Sequence, residues 1–228
     1  MPRSLPIINV LKNSGRLNMT IFLVVMSLIC VSLSLFRYII SDRMTFLFLN
    51  WNLFLAFIPW LVTTITIVKK KTTPLYALIL ILVWILFFPN SPYILTDLFH
   101  LRSRIGAPLW FDLIVILSYA WTGLIFGFVS LMDIESILRK KMSPYVVTAL
   151  SSFFLFLSAF GVYLGRYLRW NSWDIALNPF GLFNDIIDRF ANPLDHPRTW
   201  GMTIFMGILL NMMYFSIMLL KDMNEKRK

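Results

Sequence analysis

The chain alternates long apolar runs with short polar stretches. The runs occupy residues 19–40, 46–68, 74–94, 111–132, 144–165 and 201–220. Each is close to the roughly 20 residues that a helix needs to cross a hydrocarbon core of about 30 Å. Apolar residues are continuous within the runs, whereas a lipid-facing strand would alternate. The pattern predicts an all-α integral membrane protein, a bundle of six transmembrane helices. The first run is longer than the apolar part of a secretory leader and no small-x-small site follows it, so it reads as an uncleaved span. The expected organisation is an N-terminal segment 1–18, one six-span membrane domain 19–220 and a basic tail 221–228.

Composition supports this. Of 228 residues, 58% are hydrophobic and 14% charged, and mean hydropathy is +0.74. A soluble domain has about 25% charged residues. One cysteine, Cys30, excludes a disulfide framework and a thiolate metal cluster. HExxH, P-loop and dinucleotide-glycine motifs are missing from the sequence, so neither metal nor cofactor is expected.

The net charge of +10 is unevenly spread. With the N-terminus placed in the cytoplasm, every lysine falls on that side, and nearly all the net charge with them. The opposite loops carry arginine only, interleaved with aspartate. This follows the positive-inside rule and predicts cytoplasmic termini. Lysines at span ends suit anionic headgroups, while arginine suits bidentate pairing with carboxylate or phosphate. Membrane lipids are the expected partners. Basic residues confined to short loops argue against nucleic acid.

Two outer loops read as built structure. Wound as a helix, residues 95–110 would stack Asp97, His100 and Arg104 on one face. In 166–200, Phe183, Ile186, Ile187 and Phe190 share a face opposite Asn184, Asp185 and Asp188, which predicts a short interfacial helix along the outer leaflet. Gly123 with Gly127 and Gly161 with Gly165 form two GxxxG patterns, predicting that span four packs on span five and brings Asp112 towards Arg166.

The polar residues of the spans gather at one depth. Asn50 and Asn52 open span two, Asn90, Ser91 and Tyr93 end span three, Asp112 opens span four, and Arg166 and Arg169 close span five. Pro59, Pro89 and Pro92 would free backbone carbonyls, which membrane depth tolerates only where protein or a wet cavity receives them. One outward-facing polar pocket accounts for all of these; separate interface caps are the rival account. Arg166 and Arg169, three apart on one helical face, would clamp a phosphate or carboxylate, or else pair with Asp97, Asp112 or Asp174. Tyr167, Trp170 and Trp173 suit an aromatic interface belt, and Asn171 completes the polar run. Asp97, three residues before His100, would orient an imidazole for acid–base work.

Three motifs carry a resemblance. They are Trp51-Asn52-Leu53-Phe54-Leu55-Ala56 with Ile58-Pro59, then Phe88-Pro89-Asn90-Ser91-Pro92-Tyr93 with Thr96-Asp97-Leu98 and His100-Leu101, then Gly165-Arg166 with Arg169-Trp170-Asn171-Ser172-Trp173-Asp174. Together they resemble a bacterial predicted membrane-protein family designated domain of unknown function 1361, over about residues 20–220. The resemblance implies a multi-pass protein of the bacterial cytoplasmic membrane and supplies no activity. The residues favour binding or moving an anionic envelope lipid or lipid-linked headgroup. Arg166 and Arg169 would grip the anion, Asn52, Asn90 and Tyr93 would orient it, and Trp170 and Trp173 would pack on the rest. The alternatives are an intramembrane hydrolase or transferase using Asp97 and His100, and an assembly factor whose outer loops dock a partner protein.

Overall fold

The computed structural model describes residues 6–41, 43–69, 73–103 and 106–225. Arg104, expected to stack on Asp97 and His100, lies outside them, as do Lys70, Lys71, Lys226 and Lys228. The elements are α1 (Pro6–Asn13), α2 (Leu17–Ser41), α3 (Phe48–Val68), α4 (Pro74–Phe87), α5 (Asn90–Tyr93), a 3-10 helix (Ile94–His100), α6 (Leu109–Leu138), α7 (Pro144–Tyr167), α8 (Asp174–Leu177), α9 (Pro179–Ala191) and α10 (Pro197–Glu225). Among the described residues, six helical stretches are long and apolar enough to cross a membrane: α2, α3, residues 75–100, α6, α7 and α10. Each matches one apolar run of the sequence, so the all-α, six-span expectation holds.

Local chemistry sets the boundaries. The helices α4, α7, α9 and α10 each begin at a proline, whose missing N–H costs nothing in a first turn. Thr73 and Asn178 cap α4 and α9 by accepting from Tyr76 N and Gly181 N. Gly15, at φ +69°, ends α1. There Arg16 N donates to Leu11 O at 2.8 Å and Gly15 N to Lys12 O at 3.1 Å, the two bonds of a Schellman turn. This turn places Arg16 at the mouth of α2.

The chain divides into two compact units, one up to Ile134 and the other from Glu135 onward. In the first, Leu49, Ala56, Ile94, Val115 and Ile116 form the buried centre. The glycines of α6 serve this unit. A Cβ on Gly123 would lie 2.8 Å from Ile94 and one on Gly127 2.7 Å from Ser91. The GxxxG face of span four therefore takes in α5 and the start of the 3-10 helix. Sequence spacing alone could not choose that partner over span five. Pro59 stays inside α3, and Ser91 Oγ donates to Ala56 O at 3.3 Å, beside the carbonyl that Pro59 leaves without its helical donor.

In the second unit α7 packs on α10, with the Phe156 ring filling the space over Gly207. Phe190 meets Phe160 and Trp200 at centroid distances of 5.6 and 5.1 Å, which ties α9 to both helices. Phe180, Phe183 and Ile187 of α9 are exposed, so the predicted amphipathic helix exists with its apolar side outward.

Candidate functional site

The first unit carries polar side chains at both ends of its spans. At one end, Arg37 near the close of α2 meets Asp112 in the first turn of α6. Arg37 Nε to Asp112 Oδ1 is 2.5 Å and Nη2 to Oδ2 is 3.3 Å. The side chains are 1% and 0% exposed, so this is a fully buried ion pair. Among the described residues, Arg37 Nη1 is buried without a partner. One turn further in, Tyr119 Oη donates to Asn50 Oδ1 at 2.7 Å and lies 2.8 Å from Ser34 Oγ. The next layer holds Cys30 Sγ 3.2 Å from Thr122 Oγ1.

At the opposite end, Arg16 Nη1 donates to Asp133 Oδ1 at 2.6 Å and Nη2 to Thr64 Oγ1 at 2.7 Å. Thr63 Oγ1 completes the site by donating to Asp133 Oδ2 at 2.7 Å. The Arg16 guanidinium sits 5.5 Å over the Trp60 ring. Two arginine–aspartate pairs thus bracket α2 and α6. In the sequence, Arg16, Arg37 and Asp133 belong to no motif and read only as charges that set topology. The signal that would have found them is a stripe of polar residues (Arg16, Ser27, Cys30, Ser34, Arg37) at helical spacing on one face of span one.

Asp112 corrects one expectation: its carboxylate is engaged by Arg37, from the span that sequence reading left out of the pocket. Asp97 is buried in the 3-10 helix and accepts from Asn52 Nδ2 at 2.8 Å. His100 is exposed at the end of that helix, its ring edge-on to Phe48 at 5.6 Å. The segment is a 3-10 helix up to His100, with extended backbone after it, so the expected continuous α-helix through 95–110 does not form. Asn90 Nδ2 caps α4 by donating to Phe87 O at 3.0 Å, and Tyr93 is half-buried.

The second unit holds the arginine–tryptophan run. Arg166 lies in the last turn of α7, which stops at Tyr167. Trp170 N turns back to Leu164 O at 3.1 Å, and the turn puts Arg169 at φ +62°. Among the described residues it is the one non-glycine with positive φ, a conformation costing about 1–2 kcal/mol. Arg166 and Arg169 therefore do not share a helical face as expected, because the helix has ended between them. Arg169 is exposed and makes no ion pair among the described residues. Trp170 Nε1 donates to Asp185 Oδ2 at 2.7 Å, fastening the turn to α9. Asn171 N and Nδ2 both donate to Asp174 Oδ2, at 2.7 and 3.2 Å, so this pair builds the turn. Trp173 stays partly exposed, and the Arg198 guanidinium lies 5.4 Å over Tyr167.

Asp185 and Asp188 are committed within the unit. Arg189 Nη1 donates to Asp185 Oδ1 at 2.8 Å and to Asp188 Oδ2 at 3.3 Å. Asp188 Oδ1 also accepts from Asn192 Nδ2 at 2.9 Å, and His196 Nε2 lies 2.7 Å from Oδ2. The Asn192 bond first, then His196, hold the Asp188 carboxyl below its ordinary range.

Neither curated proteins nor solved structures yield a match to this chain. A family model does match, over residues 51–213, which takes in the Asn52, Asn90, Asp97, Asp112 and Arg166 to Asp174 positions and most of the spans. The chain belongs to the family described as protein of unknown function (DUF1361).

Proposed function

We propose that this multi-pass protein binds, and through binding moves or presents, an anionic lipid headgroup at the α7–α8 turn. The observation that carries the reading is Arg169. It is a solvent-facing guanidinium with no carboxylate partner among the described residues, held in a left-handed turn between Tyr167 and Trp170. Neighbouring acids are used elsewhere: Asp174 by Asn171 and Asp185 by Trp170 and Arg189. A guanidinium left over in this way suits a phosphate oxygen, which it can meet with two parallel hydrogen bonds. Partly exposed Tyr167 and Trp173 supply flat surfaces for the apolar portion at membrane-interface depth. Arg166 and Arg198, at the same end of α7 and α10, add positive field.

The test is lipid retention. Protein purified in mild detergent is extracted and its lipids quantified by mass spectrometry. Arg169→Gln should lower bound anionic lipid about tenfold, the equivalent of one charge-assisted contact, and adding Arg166→Gln should lower it further. Unchanged anionic lipid in well-folded Arg169→Gln protein overturns the reading. His100→Ala, the change that an acid–base enzyme could not tolerate, should leave lipid content as it was.

A further inference from the structure

The α9 helix presents three different sides. At roughly 3.6 residues per turn, Phe180, Phe183, Ile187 and Phe190 fall within an arc of about 80°, and they are 47–82% exposed. The next arc carries Asn184, Asp188 and Asp185. The third turns inward, with Arg189 buried and Leu182 and Ile186 half-buried. A helix flanking a bundle at a membrane surface needs all three, one each for hydrocarbon, water and protein. We propose that the apolar side of α9 docks on the acyl chains of the leaflet around the α7 C-terminus, and that α9 thereby sets the depth of the Arg169 turn.

The level of α9 selects lipid as the cover. Phe190 meets Phe160 of α7 and Trp200 of α10 at centroid distances of 5.6 and 5.1 Å. Phe160 lies seven residues before the end of α7 at Tyr167, and Trp200 three residues after the start of α10 at Pro197. At a rise of about 1.5 Å per residue, the contact sits roughly 5–10 Å inside the ends of two spans. An interfacial helix buries its apolar side by the same roughly 5–10 Å. One and two turns past Trp200, Ile204 and Ile208 carry an exposed apolar stripe down a helix that is apolar enough to cross the membrane. The apolar side of α9 is continuous with the surface that this span offers to hydrocarbon.

Charge agrees with this assignment. The aspartates and the arginine of α9 lie off the apolar side and are taken up within the unit: Asp185 by Trp170 and Arg189, Asp188 by Asn192 and His196. A protein partner is held by about one hydrogen bond per 100–200 Å² of interface, and the four apolar residues have no side-chain group to make one. The same internal bonds pass the depth of α9 to its neighbour. Trp170 Nε1 donates to Asp185 Oδ2 at 2.7 Å, while Arg189 Nη1 steadies Oδ1 at 2.8 Å. Trp170 directly follows Arg169, so the turn hangs from α9. This levelling holds whether or not Arg169 takes an anion.

Spin-label depth measurements test the proposal. Full-length Cys30→Ser protein, in nanodiscs of mixed phosphatidylcholine and phosphatidylglycerol, carries one nitroxide at a time at position 169, 180, 183, 184 or 187. At 180, 183 and 187, oxygen should relax the label several-fold more than a water-soluble nickel chelate does. At 184 the order should reverse. Trp170→Phe, which removes the donor, should leave 183 at its depth and raise nickel access at 169 several-fold. Asp185→Ala cuts the same bond from the acceptor's side and serves where Trp170→Phe fails to fold. Nickel access at 180, 183 and 187 equal to that at 184 would place the apolar side in water. Poor access of both reagents there would cover it with protein, a partner or a second copy. Either result overturns the docking, and an unchanged label at 169 in the variants overturns the levelling. None of these readings depends on bound anionic lipid, so the Arg169 reading stands or falls separately, by lipid retention.

Discussion

Single residues decide whether the first unit holds together. Arg37 and Asp112 are both shut off from solvent, and a buried charge without its counter-charge is costly. Asp112→Asn should destabilise the protein by about 3–5 kcal/mol, whereas the double change Arg37→Met with Asp112→Leu should recover most of that loss. Reversible unfolding in mixed micelles, run as a double-mutant cycle, measures both. A single-variant loss below about 1 kcal/mol would mean the pair is hydrated in the folded protein. Association between spans gains little from hydrophobicity, since lipid tails are as apolar as leucine. Packing and polar contacts of this kind must then select partners, and the Tyr119, Asn50 and Ser34 cluster repeats the device one turn deeper.

At the scale of elements, the connection between α9 and α10 is a clasp closed on one carboxylate. Asn192 and His196 both reach Asp188 across the helix end, and they lower its proton affinity. A carboxyl with a lowered folded value contributes stability above its ordinary value near 3.8. That contribution is lost as pH falls from there through the lowered value. Protection of the amides of residues 188–199, measured against the intrinsic exchange rate at each pH, should fall on acidification below about pH 4, and in Asp188→Asn protection there should not change across that window. A loss of protection that persists in the variant would place the titrating group elsewhere.

The elements were also the level at which the sequence was most informative. Continuous apolar runs marked all six spans, with ends that differ by up to six residues, because hydrophobic patterning acts locally. Pairing was less legible. Arg37 sits inside an apolar run, yet its partner is seventy-five positions away, and no local pattern names it. Gly123 and Gly127 announced a close approach, which their spacing assigned to span five, whereas the residues they meet are Ile94 and Ser91. Arg166 and Arg169 were placed on one face by their spacing, which fails once the helix ends at Tyr167. The depth at which polar residues gather was readable, whereas the direction of each side chain depended on contacts made far along the chain.

Across the whole molecule, the surface of the spans is apolar enough to demand lipid: Ile39, Leu75 and Phe205 are 75%, 68% and 76% exposed. Within the first unit this belt has two fixed edges. Twenty-one residues separate Arg16 from Arg37 on α2, and twenty-one separate Asp112 from Asp133 on α6. Along a helix that is about 31 Å. The two ion pairs therefore act as stops on a ruler cut to the thickness of an ordinary bilayer. Hydrophobic mismatch should then be felt sharply. In nanodiscs of graded acyl-chain length, melting temperature should peak where the hydrocarbon is about 30 Å thick and fall on both sides. The Arg37→Met and Asp112→Leu protein, with one stop removed, should tolerate thicker membranes that the natural chain resists.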